Sequence, residues 1–371
     1  MLKKEWNHLL MACKIKAEGK QMGYSIFIAR LLPLGGLMSI PLRSITASAP
    51  KSPSNKKDRS GTMKTAIVFG ATGGMGNALV EALVKRGISV IAFARSEHVL
   101  LEKQKNWGAL AIPMVGDAMK QEDVKEAVRK ADLIFHSINI PYQHWEPNLK
   151  IILSNILESC RIENKPFIYV DNIYSYGIQE HKTTESARKN PHTKKGKLRF
   201  KLLEQIEQSG VQYLVAHFPD FYGPNAGNTL LHFTFQQMLK KNTVFYVGDT
   251  SIQREFIYIK DGAEALVELS LREDSFGQTW NIPGAGTISG QEIAKIAGEY
   301  LKKEIRIKPI YKWMIQLVGL FDPFMREYAE MMYLNEKPVI LDGSKYERLI
   351  GPIPRTPYKI GIKETLKQMK S

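Results

Sequence analysis

The run Thr65-Ala-Ile-Val-Phe-Gly70-Ala-Thr72-Gly73-Gly74-Met75-Gly76 constrains the fold more than any other stretch of this chain. A short apolar strand leads straight into glycines spaced three apart, then into a helix with Met75, Leu79 and Leu83 on one face. Backbone N–H groups and a helix N-terminus can close on a pyrophosphate at such a turn, where a Cβ would block the approach. A glycine triplet alone is a weak signal. Strand, turn and helix in the required order make dinucleotide binding the leading reading, with a tight turn that holds no ligand as the alternative. The candidate binding residues here are Gly70, Thr72, Gly73, Gly74, Met75 and Gly76.

From Met63 onward, short apolar runs alternate with helical periodicity, the pattern of a doubly wound parallel α/β sheet. Strands are expected over 65–69, 88–94, 109–115, 132–138, 166–171 and 211–217. Helices are expected near 75–86, 96–106, 121–130, 147–162 and 194–209. The first strand-helix-strand unit spans about thirty residues, as a parallel crossover requires. Farther on, Gln291–Leu301 reads as a helix, and Pro323 divides the Met- and aromatic-rich stretch Trp313–Met332 into two short ones. For that stretch, packing as a lid is preferred to a membrane-surface role.

The chain carries a net charge of +15, unevenly spread. Residues 1–62 contain 11 Lys+Arg and 3 Asp+Glu, so more than half of the excess lies there. No basic–aromatic or zinc-finger module accompanies it, so nucleic acid is not expected as a partner. The same segment has an apolar stretch from Tyr24 to Leu42 and Ala47-Ser-Ala49, which resembles a signal-peptidase site. Arg30, Pro33 and Pro41 interrupt that stretch and argue against export, and Arg30 near its middle argues against a stable membrane span. Residues 1–62 read as a poorly ordered extension or a misassigned start, with an organelle-targeting segment as the alternative. The expected location is cytoplasmic unless that segment directs the chain to an organelle. Two cysteines, Cys13 and Cys160, make neither a disulfide framework nor a metal site.

The second strand ends in Arg95, where an NAD site would place an acidic residue for the ribose hydroxyls. A guanidinium pairs with the adenosine 2′-phosphate, which favours NADP, with NAD as second choice. The alternative is a solvated arginine at a strand end. Asp117 follows the third strand and either faces the adenine amino group or caps the next helix. Asn139, just past the fourth strand, is a further candidate for the cofactor site.

At this point the chain resembles the short-chain dehydrogenase/reductase superfamily, in its extended or atypical epimerase/dehydratase branch. The likeness runs from about Met63 to the end. Its markers are Gly70-x-x-Gly73-x-x-Gly76, Asp117, Tyr176-Gly177, Phe221-Tyr222-Gly223-Pro224, the run Arg254-Glu-Phe-Ile-Tyr-Ile-Lys-Asp261, and Trp280-Asn-Ile-Pro283. The resemblance implies a Rossmann domain over 63–218 and a small C-terminal α/β substrate lobe, mainly 219–371, with segments that return to the sheet. It also implies a small-molecule substrate and allows a homodimer. Family enzymes carry a Ser four residues before the Tyr-Gly pair and a Tyr-x-x-x-Lys on the next helix. Here the serine position falls on Asn172, the lysine position on Lys197 and the tyrosine position on Thr193.

A threonine hydroxyl ionises too weakly to replace a tyrosine whose pKa is lowered by a nearby lysine. Lys197, Asn172, Thr193 and Tyr176 are nevertheless the candidates for the catalytic positions, and Lys197 is expected to contact the nicotinamide ribose. Tyr142, Tyr174, Tyr176, His217, Asp220 and Tyr222 stand at loops or strand ends where a substitute proton donor is needed. The cluster Lys194, Lys195, Lys197, Arg199 and Lys201 opposes the dipole at the start of its helix. Either an anion relieves it, from cofactor phosphates or an anionic substrate, or the face is simply solvated. Two functions follow: an NADP-dependent oxidoreductase or isomerase acting on a small and in one version anionic substrate, or a non-catalytic sensor of the NADP pool.

Overall fold

Alternation along the first strand sets the architecture. In β1 (Thr65–Phe69), Ala66 and Val68 face one apolar cluster while Ile67 and Phe69 face another. A strand buried on both faces must be covered on both, and the helices do this. The computed structural model describes residues 64–370, which fall within one compact unit. The expectations for residues 1–62 lie outside the described residues.

After β1 come α1 (Gly74–Lys85), β2 (Ser89–Ala94), α2 (Glu97–Trp107), β3 (Ala111–Val115), α3 (Gln121–Arg129) and β4 (Leu133–His136). These are followed by α4 (Trp145–Ile162), β5 (Phe167–Asn172), α5 (Lys194–Glu207) and β6 (Tyr213–Phe218). The C-terminal part adds β7 (Asp220–Tyr222), α6 (Leu230–Lys240), β8 (Thr243–Val247), β9 (Arg254–Tyr258), α7 (Ile259–Ser270), β10 (Gln278–Asn281) and β11 (Thr287–Ile288). It ends with α8 (Gly290–Leu301), β12 (Arg306–Ile310), α9 (Lys312–Gly319), α10 (Pro323–Tyr328), α11 (Tyr333–Glu336), α12 (Ser344–Leu349) and α13 (Tyr358–Lys370).

Seven strands form one sheet in the order β10-β6-β5-β4-β1-β2-β3, all parallel. The order reverses between β1 and β4, so a crevice opens there beyond the carboxyl ends of the strands. Residues of α1, α2 and α7 cover one face, and those of α3, α4 and α5 the other. This is the Rossmann-type α/β fold expected from the alternating pattern. The strand β10, far along the chain, joins the sheet edge beside β6 (Gln278↔Leu214).

Around Phe235, Phe256, Ile293 and Ile362 a separate core holds α6, α8 and α13 against two small sheets, β11-β9-β7 and β12-β8. The Met- and aromatic-rich stretch is divided as Pro323 requires. The Asp322 carboxylate accepts from the N–H groups of Phe324 and Met325, and Pro323 opens α10. Among the described residues no helix is long and apolar enough to cross a membrane.

Candidate active site

Gly70 turns the chain out of β1 with φ +86°, in the left-handed region that glycine adopts without strain. A Cβ there would lie 3.0 Å from the Ile138 nitrogen, so the loop after β4 can approach the turn only because no side chain intervenes. A Cβ on Gly76 would sit 2.1 Å from the Gly70 carbonyl oxygen; that glycine lets α1 start directly against the turn. Gly73 caps α1 without a side-chain hydrogen bond, and the first turn contains no acidic residue. Nothing in the helix's own cap or first turn therefore offsets its positive end. Thr72 and Gly74 are partly exposed, Gly73 is open to solvent and Met75 is buried under the helix. This cradle fits a pyrophosphate.

Arg95 follows the last residue of β2 and is exposed. The Asp117 carboxylate accepts from the Met119 N–H at 3.0 Å, a local turn beneath α3. Asn139 stands on the loop after β4 and accepts through Oδ1 from the Arg199 guanidinium at 3.2 Å.

The helix α5 sets apart the two residues matched to the Tyr-x-x-x-Lys positions. Thr193 is buried as its N-cap, and its hydroxyl accepts from the Gly196 N–H at 3.0 Å, so that oxygen serves the helix end. Lys197 is exposed to solvent. The residues of α5 that turn inward are instead Lys195 and Arg199, four apart and both buried. Arg199 donates to the Tyr169 hydroxyl at 2.7 Å, lies 3.3 Å from Asp171 Oδ1, and stacks over the Trp145 ring at 4.5 Å. His217 Nδ1 lies 3.4 Å from the second Asp171 oxygen. Behind them His136 is held neutral, its pKa pushed down to about 3 by burial and then by the Arg199 charge. Its Nδ1 accepts from the Ile138 N–H, as a neutral ring can.

Removing one member of this buried pair leaves the other charge uncompensated. Asp171→Ala is expected to cost about 3–5 kcal/mol in denaturant unfolding, and the double change Asp171→Ala with Arg199→Met to recover much of it. A single change within about 0.5 kcal/mol of wild type would show that the pair does not matter to the fold.

Asn172 accepts through Oδ1 from the Tyr174 N–H at 3.0 Å and so fixes the turn that follows β5. That turn presents Tyr174, whose hydroxyl is 2.7 Å from the hydroxyl of Tyr142. Both phenols are pushed well above their ordinary pKa. Burial is the main cause; the Asp220 charge adds to it for Tyr174, and the Tyr174 neighbour for Tyr142. The Tyr142 ring packs against Trp145 and Phe324, and Trp145 stacks on Tyr174. A cleft beside them is lined by Tyr142, Trp145, Lys195, Leu198, Pro323 and Glu327. Tyr176, in contrast, is fully buried and donates to Asn281 Oδ1 at 2.8 Å, and Tyr222 lies in the C-terminal core. Of the substitute donors named from the sequence, the fold brings Tyr142 and Tyr174 together near Asp220.

The cationic start of α5 has its anion, and the chain itself provides it. Glu330 accepts from the backbone N–H groups of Lys194 and Lys195 at 2.9 and 3.1 Å. The Lys195 ammonium is bonded to Glu327 and lies 3.4 Å from Glu330.

Comparison with known proteins agrees with this fold. Among solved structures, UDP-glucuronic acid 4-epimerase from Bacillus cereus in complex with NAD superposes with a TM-score of 0.69 at 18% identity, over 82% of this chain and 98% of that one. For dTDP-glucose 4,6-dehydratase from Bacillus anthracis in complex with NAD the TM-score is 0.70 at 14% identity, over 83% and 97%. A 2-alkyl-3-oxoalkanoate reductase of Shewanella oneidensis is 40% identical over 72 residues, 19% of this chain and 17% of that relative's length. An uncharacterized protein of Saccharomyces cerevisiae is 23% identical over 252 residues, 66% of this chain and 83% of the relative. The model of the NAD dependent epimerase/dehydratase family matches residues 66–282, more than half of the sequence, from the second residue of β1 to just past the end of β10. The chain belongs to that family.

Proposed function

We propose that this protein is an NADP-dependent oxidoreductase that reduces a carbonyl group, with Tyr174 in place of the family tyrosine. The observation that carries the reading is the hydroxyl pair of Tyr142 and Tyr174, 2.7 Å apart behind the cleft that Tyr142 lines, and linked through Trp145 to Arg199. The coenzyme would be held by the Gly70–Gly76 turn and the open N-terminus of α1, with Arg95 at the adenosine 2′-phosphate and Arg199 and Asn139 toward the nicotinamide end. When bound, a nicotinamide coenzyme supplies the hydride.

The side chains then manage a proton. A ketone oxygen that gains negative charge needs a donor, and Tyr174 Oη is protonated. Burial and the Asp220 charge make it a weaker acid than a lysine-paired tyrosine, so it depends on the nearby Arg199 charge as its proton leaves. The 2.7 Å contact between the hydroxyls would let Tyr142 Oη donate to Tyr174 Oη as that proton leaves. Arg199, fixed by Asp171 and Tyr169, supplies a positive charge beside the forming phenolate. The raised pKa gives the sign of the pH dependence. The reactive form is the protonated one, so reduction does not decline through neutral pH and falls only above the usual tyrosine range near 10. Loss of rate between pH 6 and 8 in step with a single ionisation would point to another donor.

The reading favours an enzyme over a sensor, because two joined hydroxyls beside the buried Arg199 are what a proton transfer needs. NADPH oxidation by a panel of ketones and aldehydes tests it, with loss of nicotinamide absorbance as the readout. Absence of turnover across the panel, with coenzyme bound, would favour the sensor. Arg95 tests the choice of coenzyme. A charge-assisted hydrogen bond is worth about 1.5–3 kcal/mol, so Arg95→Ala should weaken NADPH binding by about 10–100-fold and leave NADH binding nearly unchanged. Equal losses for both would remove the assignment.

A further inference from the structure

We infer that the helical hairpin α9–α10 docks on the surface of an anionic lipid bilayer, with Trp313, Leu317, Leu320 and Phe321 entering the headgroup layer. This goes beyond the carbonyl-reductase reading and does not depend on it. The hairpin is closed by contact of backbones. A Cβ on Gly319 would lie 3.0 Å from the Arg326 nitrogen and Cα, so α9 meets α10 where it has no side chain. The Arg326 guanidinium then covers the C-terminal end of α9, donating to the Gly319 and Leu320 carbonyl oxygens at 3.0 and 3.3 Å. Inward, Ile315 is buried with Val247, Tyr328 and Met332, the packing expected of this Met- and aromatic-rich stretch. The outer side of α9 departs from that expectation. Trp313, Leu317, Leu320 and Phe321 follow one side of the helix and its end, and are 50%, 39%, 64% and 65% exposed. Single exposed apolar side chains are ordinary on a protein surface. A stripe of them, on a helix whose opposite side is already buried, marks a contact surface.

Charge selects the occupant. From Ile305 to Arg326 the chain has four cations, Arg306, Lys308, Lys312 and Arg326, and one carboxylate, that of the buried Asp322. The carboxylates on either side, Glu304 and Glu327, are paired with Arg306 and Lys195. A cation therefore stands at each end of the stripe, Lys312 next to Trp313 and Arg326 against Leu320. A second copy of this chain laid on the stripe would meet cation with cation at both ends, whichever way it ran. A layer of anionic headgroups meets both with opposite charge, which is worth about 5-fold in binding for each cation near the surface. Tryptophan, leucine and phenylalanine beside lysine and arginine are also the composition that sits at the boundary of headgroups and acyl chains. With 8 residues, α9 is far too short to span a bilayer, so it would lie in the surface plane with Leu320 and Phe321 deepest.

The experiment is flotation of the full chain with vesicles of phosphatidylcholine, with and without phosphatidylglycerol. The chain is expected to float with the anionic vesicles and at least about 10-fold less with the neutral ones. Leu320→Ser with Phe321→Ser removes the two most exposed members of the stripe. It should keep a near-normal melting temperature and lower partition at least about 10-fold. Lys312→Gln should cost about 5-fold on anionic vesicles and leave neutral ones unchanged. Lipids with brominated acyl chains, which quench indole fluorescence on contact, give a readout on the unaltered protein. Trp107, Trp145 and Trp280 are buried and Trp313 is exposed, so quenching is expected and should be lost in Trp313→Phe. Failure to float, or equal flotation with neutral vesicles, would overturn the proposal. Undiminished flotation of the double serine variant, or quenching that survives Trp313→Phe, would overturn it too and place the lipid contact elsewhere in the chain, residues 1–62 included. A dimer in solution that dissociates in the double serine variant would put a second copy on the stripe instead of lipid.

Discussion

Tyr174→Phe is expected to lower the rate of carbonyl reduction by about 10²–10⁴-fold, the usual contribution of a placed proton donor. The change removes one oxygen and keeps the ring that stacks on Trp145, so fold and coenzyme affinity should be retained. Tyr142→Phe is expected to have a smaller effect, because Tyr142 acts on the substrate only through Tyr174. The two changes share one hydrogen bond, so the double variant should be little worse than Tyr174→Phe alone. Single-turnover reduction with coenzyme saturation measured in parallel is the check. If both single variants reduce at the wild-type rate, the proton comes from elsewhere.

The second large effect concerns the glycine turn. Gly76→Val places side-chain carbon where even a Cβ would lie 2.1 Å from the Gly70 carbonyl oxygen. Either α1 moves off the turn or the strand end shifts; overpacking of this kind costs about 1–3 kcal/mol or more, and coenzyme binding should disappear. Because this variant can lose binding merely by unfolding, Gly73→Ala gives the cleaner result. Its Cβ would meet only the Gly70 carbonyl oxygen at 3.3 Å, and its backbone (φ −73°, ψ 167°) suits alanine. It should fold with a near-normal melting temperature and still lose coenzyme affinity by at least about 10-fold, since the methyl stands where amides must approach a phosphate. Normal affinity in Gly73→Ala would place the pyrophosphate elsewhere.

Much of the sheet was legible because its strands are buried on both faces. Runs such as Thr65–Phe69 and Ser89–Ala94 are apolar throughout and stand between amphipathic helices, a combination that few other folds use. Glycines required by close backbone approach are equally visible, since Gly76 has no alternative at that position. The catalytic pair was harder. Spacing alone matched Thr193 and Lys197 to a Tyr-x-x-x-Lys, but helical periodicity points elsewhere. Lys195, Leu198, Arg199, Leu202 and Ile206 recur at three- and four-residue steps and are the buried stripe of α5, whereas Lys197 and Lys201 share an exposed side. That stripe was in the sequence, and weighing it would have shown Lys195 and Arg199 to be the inward-facing cations of α5.

Other parts of the site had no local signal. Glu327 and Glu330 reach Lys195 from more than 130 residues away, and Asp171 pairs with Arg199 across the step from β5 to α5. Charge pairing at such separations depends on the tertiary path, which residue spacing does not encode. Asn172, placed by motif alignment at the serine position, hydrogen-bonds the Tyr174 backbone. Its part in the proposed reaction is to position that tyrosine.

Calorimetric titration of the purified protein with NADPH and NADH tests the central claim most directly. The account predicts one site per chain, occupied by NADPH more tightly than by NADH, and weakened at least about 10-fold in Gly73→Ala. A folded protein that takes up neither coenzyme would contradict it.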